Sequence, residues 1–286
     1  MAQPSVPPLD FARLLAAPGG FFEAYWQKQP LTLDLAPADF AALRDAVGSL
    51  DIARLADLAR GGTQAWLAND YVAHSVIAVD AANAGSFFAE GATLYFLDVP
   101  LPRLTQPLAD FLGAPHKKLL ASFFLTPASG GATRHFDAHE NFTIQLTGAK
   151  RWIVGDAPAV IAPPDGHVQG HALAPSLAGL MPGPAPETEH AVDLQPGRLL
   201  YVPRGTYHRT GAGETSWSLN LSYGCTMWLD LLNTALRRRL SAAPGWRASV
   251  SQGALPLELL HELRALLADP AEVERLARDF LARPEA

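Results

Sequence analysis

The chain of 286 residues contains one cysteine, Cys225, so no disulfide can form within it and a reducing cytoplasm is its natural compartment. It has no basic run, and its formal net charge of −6 argues against wholesale nucleic-acid binding. No apolar stretch reaches the length that crosses a bilayer, so no membrane association is expected. The opening "MAQPSVPPLDFARLLAA" lacks a basic start and a long apolar core, so no signal peptide is expected. Charged residues make up only 17%, whereas hydrophobic residues make up 49%. That is enough for one large core and a smaller helical part. Glycine (23) and proline (24) are abundant, which suits a β core with many turns.

The pattern divides the chain in three. Residues 1–63 read as helical. Asp10 caps a short helix carrying Phe11, Leu14 and Leu15. "PADFAALRDAV" starts at or just before Asp39 and puts Phe40, Leu43 and Val47 on one face. "SLDIARLADLARGG" starts near Ser49 or Asp51. Residues 64–228 read as mainly β, with "YVAHSVIAV" and "GATLYFLDV" as strands and "PLPRLTQPLADFLGA" as a helix. Short strands then follow between turn signals from "LLASFFLTPA" to "SLNLSYGC", a spacing that predicts a sandwich, jelly roll or barrel. Within them, 156–190 is a long Pro/Gly/Ala/His-rich segment, either a surface loop or an insertion over a binding mouth. Residues 229–286 return to helix, broken at Asp269-Pro270. Their amphipathic faces need burial, either between two copies of the chain or against its own barrel.

The stretch "TRHFDAHENFTIQLTGAKRW", Thr133 to Trp152, carries the chemistry. On a strand, residues i and i+2 share a face, so His135 and Asp137 project together as one nitrogen and one oxygen ligand. The best third ligand is His208, delivered by the turn in "YVPRGTYH". Two histidines and one carboxylate hold one face of an octahedron and leave three positions open, the arrangement of non-haem Fe(II) oxygenases. Catalytic zinc instead leaves one tetrahedral position. Such an oxygenase needs two electrons, which a 2-oxo acid supplies, and the far carboxylate of that acid needs a cation. Lys150 fits: a buried lysine is costly without an anion, and the distal carboxylate of 2-oxoglutarate is one. Of Lys150 and Arg151, one should snorkel to solvent. His139 is expected behind the ligands or at the surface, and His167, His171 and His190 solvated or facing substrate. His74, His116 and His261 show no partner pattern, and Cys225 reads as a small core residue.

With "YVPRGTYH", "SLNLSYG" and the N-terminal "YWQKQPLTL", this stretch resembles the JmjC-type cupin oxygenases, over roughly residues 20–230. Within that family the pattern is most similar to the ribosomal-protein hydroxylases and the asparaginyl hydroxylase of the hypoxia response. The resemblance implies a double-stranded β-helix with flanking helices. It implies Fe(II) on His135, Asp137 and His208, 2-oxoglutarate on Lys150, and O2 as co-reactant. Asn141 and Asn220 match positions that in some members contact the cosubstrate or its waters. The expected activity is hydroxylation of a side chain in a protein or peptide, a ribosomal protein among the candidates, by a cytoplasmic homodimer. Three alternatives stay open: a hydroxylase of a free or carrier-bound amino acid, a metal-binding cupin without oxygenase activity, and a zinc-dependent isomerase or hydrolase.

Overall fold

Strand alternation sets the architecture, and it does so twice over. The computed structural model describes residues 9–16, 19–67, 75–113, 119–181, 188–249 and 256–281. Two compact units divide the chain, residues 1–224 and 225–286. The first holds two antiparallel sheets. Its strands are β1 (Leu31–Asp34), β2 (Thr63–Leu67), β3 (Ile77–Val79), β4 (Ala92–Phe96), β5 (Leu119–Thr126), β6 (Gly131–Phe136) and β7 (Glu140–Thr147). They continue with β8 (Lys150–Gly155), β9 (His167–Val168), β10 (Glu189–Leu194), β11 (Arg198–Val202), β12 (His208–Gly211) and β13 (Ser216–Tyr223). The larger sheet runs β1-β11-β7-β13-β5-β4-β2-β3 and the smaller β10-β8-β12-β6-β9. From β5 onward the chain passes back and forth between the sheets, β5, β7, β11 and β13 in one and β6, β8, β9, β10 and β12 in the other. That is the winding of a double-stranded β-helix.

Every residue of β7 from Glu140 to Leu146 is buried, because the strand is covered on both faces. Phe142, Ile144 and Leu146 face the main apolar core, together with Phe123, Leu125, Leu219 and Leu221 of the neighbouring strands. The alternate residues, Asn141 and Thr143, face the other way and line a cavity. β13 repeats the pattern, with Leu219 and Leu221 in the apolar core and Asn220 and Ser222 on the cavity side. A strand with alternating polar and apolar residues that is buried throughout separates an apolar core from a polar interior.

Helices cover the apolar face. They are α1 (Phe11–Leu14), α2 (Pro37–Val47), α3 (Ile52–Leu58), α4 (Ala81–Ala89) and α5 (Pro102–Leu112). Asp10 caps α1 by accepting from the Arg13 N–H at 3.1 Å, and Asp51 caps α3 through the Arg54 N–H at 2.8 Å. Helix α2 begins at Pro37 after Ala36; Asp39 does not cap it but is buried against the Arg13 guanidinium. The N-terminal helices, set apart at residue 63 by their pattern, contribute Phe11, Leu43 and Leu55 to the same core as the sheets. Of "YVAHSVIAV", only Ile77–Val79 is a described strand, and residues 71–74 lie outside the described residues.

The segment after β8 forms the short strand β9 and a 3-10 turn, Pro175–Leu177. Val160 and Leu177 pack with Phe136 and Tyr207 into a small cluster, so the described part of the segment is fastened to the barrel. The second unit contains α6 (Trp228–Leu240), α7 (Leu257–Ala268) and α8 (Pro270–Leu281). As the sequence suggests, Asp269 caps α8, accepting from the Ala271 N–H at 3.0 Å, with Pro270 first in the helix. Among the described residues, no helix is long and apolar enough to cross a membrane.

Candidate metal centre

His135 is the last residue but one of β6, and His208 opens β12 directly opposite it in the strand register. That pairing brings the two imidazoles together, with ring centroids 4.3 Å apart and the planes tilted by 56°. Asp137 lies one residue beyond the end of β6. Its Oδ1 is 3.9 Å from His135 Nε2, and its Oδ2 is 3.6 Å from His208 Nε2. One donor atom from each of the three residues falls within 4.8 Å of the others.

Both imidazoles are aimed by backbone carbonyls. His135 Nδ1 donates to Thr133 O at 2.7 Å, and His208 Nδ1 donates to Thr206 O at 3.0 Å. This fixes the tautomer and leaves each Nε2 lone pair facing Asp137, the orientation a metal requires. Burial, reinforced by the neighbouring His135, lowers the His208 pKa to about 4, so its ring is neutral at physiological pH. Burial pushes the Asp137 carboxyl up, but the imidazoles of His135, His208 and His139 and the Asn141 amide outweigh it. The net result is a carboxyl below its ordinary value. Two imidazoles and one carboxylate, their free donors converging, fit a divalent first-row metal.

An amide chain braces the carboxylate. Asn141 Nδ2 donates to Asp137 Oδ2 at 2.7 Å, and Asn220 Nδ2 donates to Asn141 Oδ1 at 3.0 Å. Thr143 Oγ1 in turn donates to Asn220 Oδ1 at 3.1 Å. Asn141 and Asn220 thus line the cavity while already bonded to each other and to Asp137. Trp152 backs His208 from β8, with ring centroids 5.4 Å apart.

Lys150 opens β8 after a turn at Gly148. Gly148 has φ of +62°, and a Cβ there would lie 2.3 Å from Thr215 O, so only glycine makes this turn. Strand alternation then sends Lys150 inward, at 4% exposure, and Arg151 outward. The Lys150 ammonium meets Ser218 Oγ at 3.4 Å and sits 5.3 Å from the Phe124 ring centroid. Among the described residues it has no carboxylate within ion-pair reach. Burial lowers its pKa to about 7.

The three donors and Lys150 line one cavity of about 110 Å³. Its remaining wall holds residues that sequence reasoning missed: Trp66 of β2, Thr93 and Tyr95 of β4, and Phe124 and Thr126 of β5. Tyr95 stacks on Phe124 at 4.2 Å between centroids, and burial raises the Tyr95 hydroxyl above its usual range. The one available signal was the alternation in "ATLYF", which puts Thr93 and Tyr95 on a single face. His139 is exposed at the cavity edge and lies outside the cluster of three donors.

Comparison with known proteins agrees with this architecture. The family model described as "JmjC domain" matches residues 104–230. The Bacillus subtilis protein YxbC, itself uncharacterised, is 29% identical over 177 residues, covering 57% of this chain and 53% of YxbC. The bifunctional lysine-specific demethylase and histidyl-hydroxylase NO66 of Drosophila sechellia is 30% identical over 182 residues, 60% of this chain and 26% of NO66. The chain therefore spans about half, or less, of the length of these curated relatives. Among solved structures, YcfD of Escherichia coli, described as a ribosomal oxygenase and solved with cobalt and 2-oxoglutarate, superposes with a TM-score of 0.54. The identity is 19%, over 94% of this chain and 72% of YcfD, which is a likeness of fold. The residues that match the JmjC domain model include His135, Asp137, His208 and Lys150.

Proposed function

We propose that this chain is an Fe(II)- and 2-oxoglutarate-dependent oxygenase that hydroxylates a side chain of a protein or peptide. The observation that carries the reading is the juxtaposition of three convergent donors, His135, Asp137 and His208, with a buried lysine that lacks an acidic partner among the described residues. The donors would hold the metal, and Lys150 would take the distal carboxylate of the cosubstrate. With both bound, iron, 2-oxoglutarate and O2 supply an oxidant that inserts oxygen into a C–H bond, leaving succinate and CO2. The residues of this chain do the rest. The carbonyls of Thr133 and Thr206 keep both Nε2 atoms turned to the metal. Asn141 holds one oxygen of Asp137. Trp66, Tyr95 and Phe124 give the cavity an aromatic wall that limits water. Asn141 and Asn220 act chiefly through the carboxylate and touch the cosubstrate from the cavity side.

NO66 is named a histidyl-hydroxylase and YcfD a ribosomal oxygenase, which supports a protein substrate, with a ribosomal protein the first to try. A cytoplasmic homodimer completes the reading. The helical unit from 225 onward leaves Trp228 (72% exposed) and Leu257 (68%) uncovered, as a pairing surface would. A metal-binding cupin without oxygenase activity predicts Lys150 at the surface, and its burial counts against that reading.

The test is succinate formation from 2-oxoglutarate with Fe(II) and ascorbate, together with mass spectrometry of candidate peptides for an added oxygen. His135→Ala should abolish both. Succinate production retained in that variant would refute the assignment.

A further inference from the structure

Two donors on neighbouring strands and a third just past the end of one need something that keeps them in step, and the residue that does so is not itself a donor. Glu140 is fully buried at the start of β7, three residues after Asp137. Burial raises its carboxyl above the ordinary value, opposed by the Tyr201 hydroxyl and Arg204. The Gln27 side chain bonds it from the N-terminal segment, and Tyr201 and Arg204 meet it from the stretch that leads to His208. The Tyr201 hydroxyl donates to Glu140 Oε2 at 2.6 Å, and the Arg204 backbone N–H donates to the same oxygen at 3.4 Å. Arg204 Nε lies 3.3 Å from Glu140 Oε1, an ion pair by distance whose N–H is not aligned as a hydrogen bond. Arg204 is itself buried, and Glu140 is the one carboxylate it meets among the described residues.

Between Tyr201 and His208 runs the turn that aims the second imidazole. Thr206 N–H donates to Pro203 O at 3.1 Å, and Thr206 O is the acceptor that orients His208. The next residue after Arg204, Gly205, donates its N–H to Asp137 O at 2.9 Å. The turn is therefore tied at two adjacent residues to the segment that carries Asp137. Gly205 makes the backbone tie, and Arg204 makes the tie through Glu140.

Behind Glu140 the N-terminal segment closes the arrangement. The Gln27 backbone N–H donates to the Tyr201 hydroxyl at 2.9 Å, from a left-handed φ of 58°. Trp26 stacks on the Tyr201 ring at 6.0 Å and 14°. The motif "YWQKQ" thus has a physical task, to hold the phenol that holds Glu140.

The geometry points to Glu140 as a positioning residue that keeps His135–Asp137 and His208 in register for the metal. This inference rests on the metal-binding reading above and concerns assembly of the site, not a reacting atom. A buried carboxylate–guanidinium pair contributes little to stability for its own sake, and its best-supported use is to specify one geometry. Removing only the carboxylate charge leaves the Arg204 guanidinium buried without its counterion, which frees the turn that aims His208.

The test measures Co(II) affinity from its visible absorption, without O2 or turnover, in wild type, Glu140→Gln, and Glu140→Gln with Arg204→Met. Circular dichroism confirms that each variant is folded. Glu140→Gln should bind Co(II) about tenfold more weakly, the loss typical of groups that orient ligands. The double variant should recover most of that loss, because no unpaired cation remains. A folded Glu140→Gln with wild-type affinity would overturn the inference, and so would a loss that the double variant does not recover. Should Glu140→Gln fail to fold, Tyr201→Phe decides. It removes the bond to Glu140 and the acceptor of the Gln27 N–H, and should weaken Co(II) about threefold, whereas unchanged affinity overturns the role. Wild type that binds no Co(II) would instead sink the metal-binding reading, and this inference with it.

Discussion

Lys150 makes the affinity for a diacid depend on pH, with a sign fixed by its burial. In the free protein its ammonium titrates near 7, well below the ordinary 10.5, because no anion offsets its burial. A carboxylate bound beside it restores the ordinary value or raises it further. Below pH 7 the amine is already protonated and binding is insensitive to pH. Above pH 7 each bound diacid must also take up a proton, so the dissociation constant should rise about tenfold per pH unit. Between pH 7 and 9 the affinity of the metal-loaded protein for 2-oxoglutarate should therefore fall about fiftyfold. Anaerobic calorimetry with Co(II)-loaded protein, in two buffers of different ionisation enthalpy, measures the affinity and counts the proton. Lys150→Met should bind the acid 10- to 100-fold more weakly at pH 7, with no such slope.

The same displacement acts on folding with the opposite sense. The folded pKa lies below the unfolded one, so the unfolded chain binds more protons between about 7 and 10.5 and wild-type stability rises with pH across that window. The full gap is worth at most about 5 kcal/mol below pH 7. Lys150→Met should remove this pH dependence. A 2-oxoglutarate affinity that stays flat from pH 7 to 9, with no proton taken up, would refute the reasoning.

Two further outcomes follow from distances around the site. Asn141→Ala removes the 2.7 Å bond to Asp137 and should weaken Co(II) binding about tenfold, read by titration of the visible absorption. Gly205→Ala sets a Cβ 1.9 Å from Val160 O at a φ of +79°, so it should destabilise the protein by more than about 2 kcal/mol in thermal unfolding.

The donors were legible because their signals are local. His135 and Asp137 stand two apart at the end of a strand, and His208 follows a turn whose Pro203 and Gly205 announce it. Lys150 was legible as one of a pair, and the choice between it and Arg151 needed only strand alternation restarted after Gly148. The rest depends on contacts between segments distant in sequence. Glu140 sits between two conspicuous motif residues, yet Tyr201 and Arg204 are 61 and 64 residues away, and no spacing rule connects them. The cavity wall comes from β2, β4 and β5, which read as ordinary strands. Asn141 and Asn220 were assigned to the cosubstrate by resemblance, and their bonds to each other appear only when β7 and β13 are paired. Asp39 shows the limit of local rules: it looks like a cap, but its carboxylate is taken by Arg13.

The two sheets are unequally supported. The larger is backed by the broad apolar core under the helices, whereas β8 and β10 of the smaller share with β11 a cluster of only Trp152, Val154, Val192, Leu194, Leu200 and Val202. Yet the smaller sheet bears His135, His208 and Lys150. A metal ion there would act as a rivet through the weaker wall of the barrel, and its loss would loosen that wall while the helix-backed wall stayed shut. Chelation would then leave a half-open shell instead of an unfolded chain.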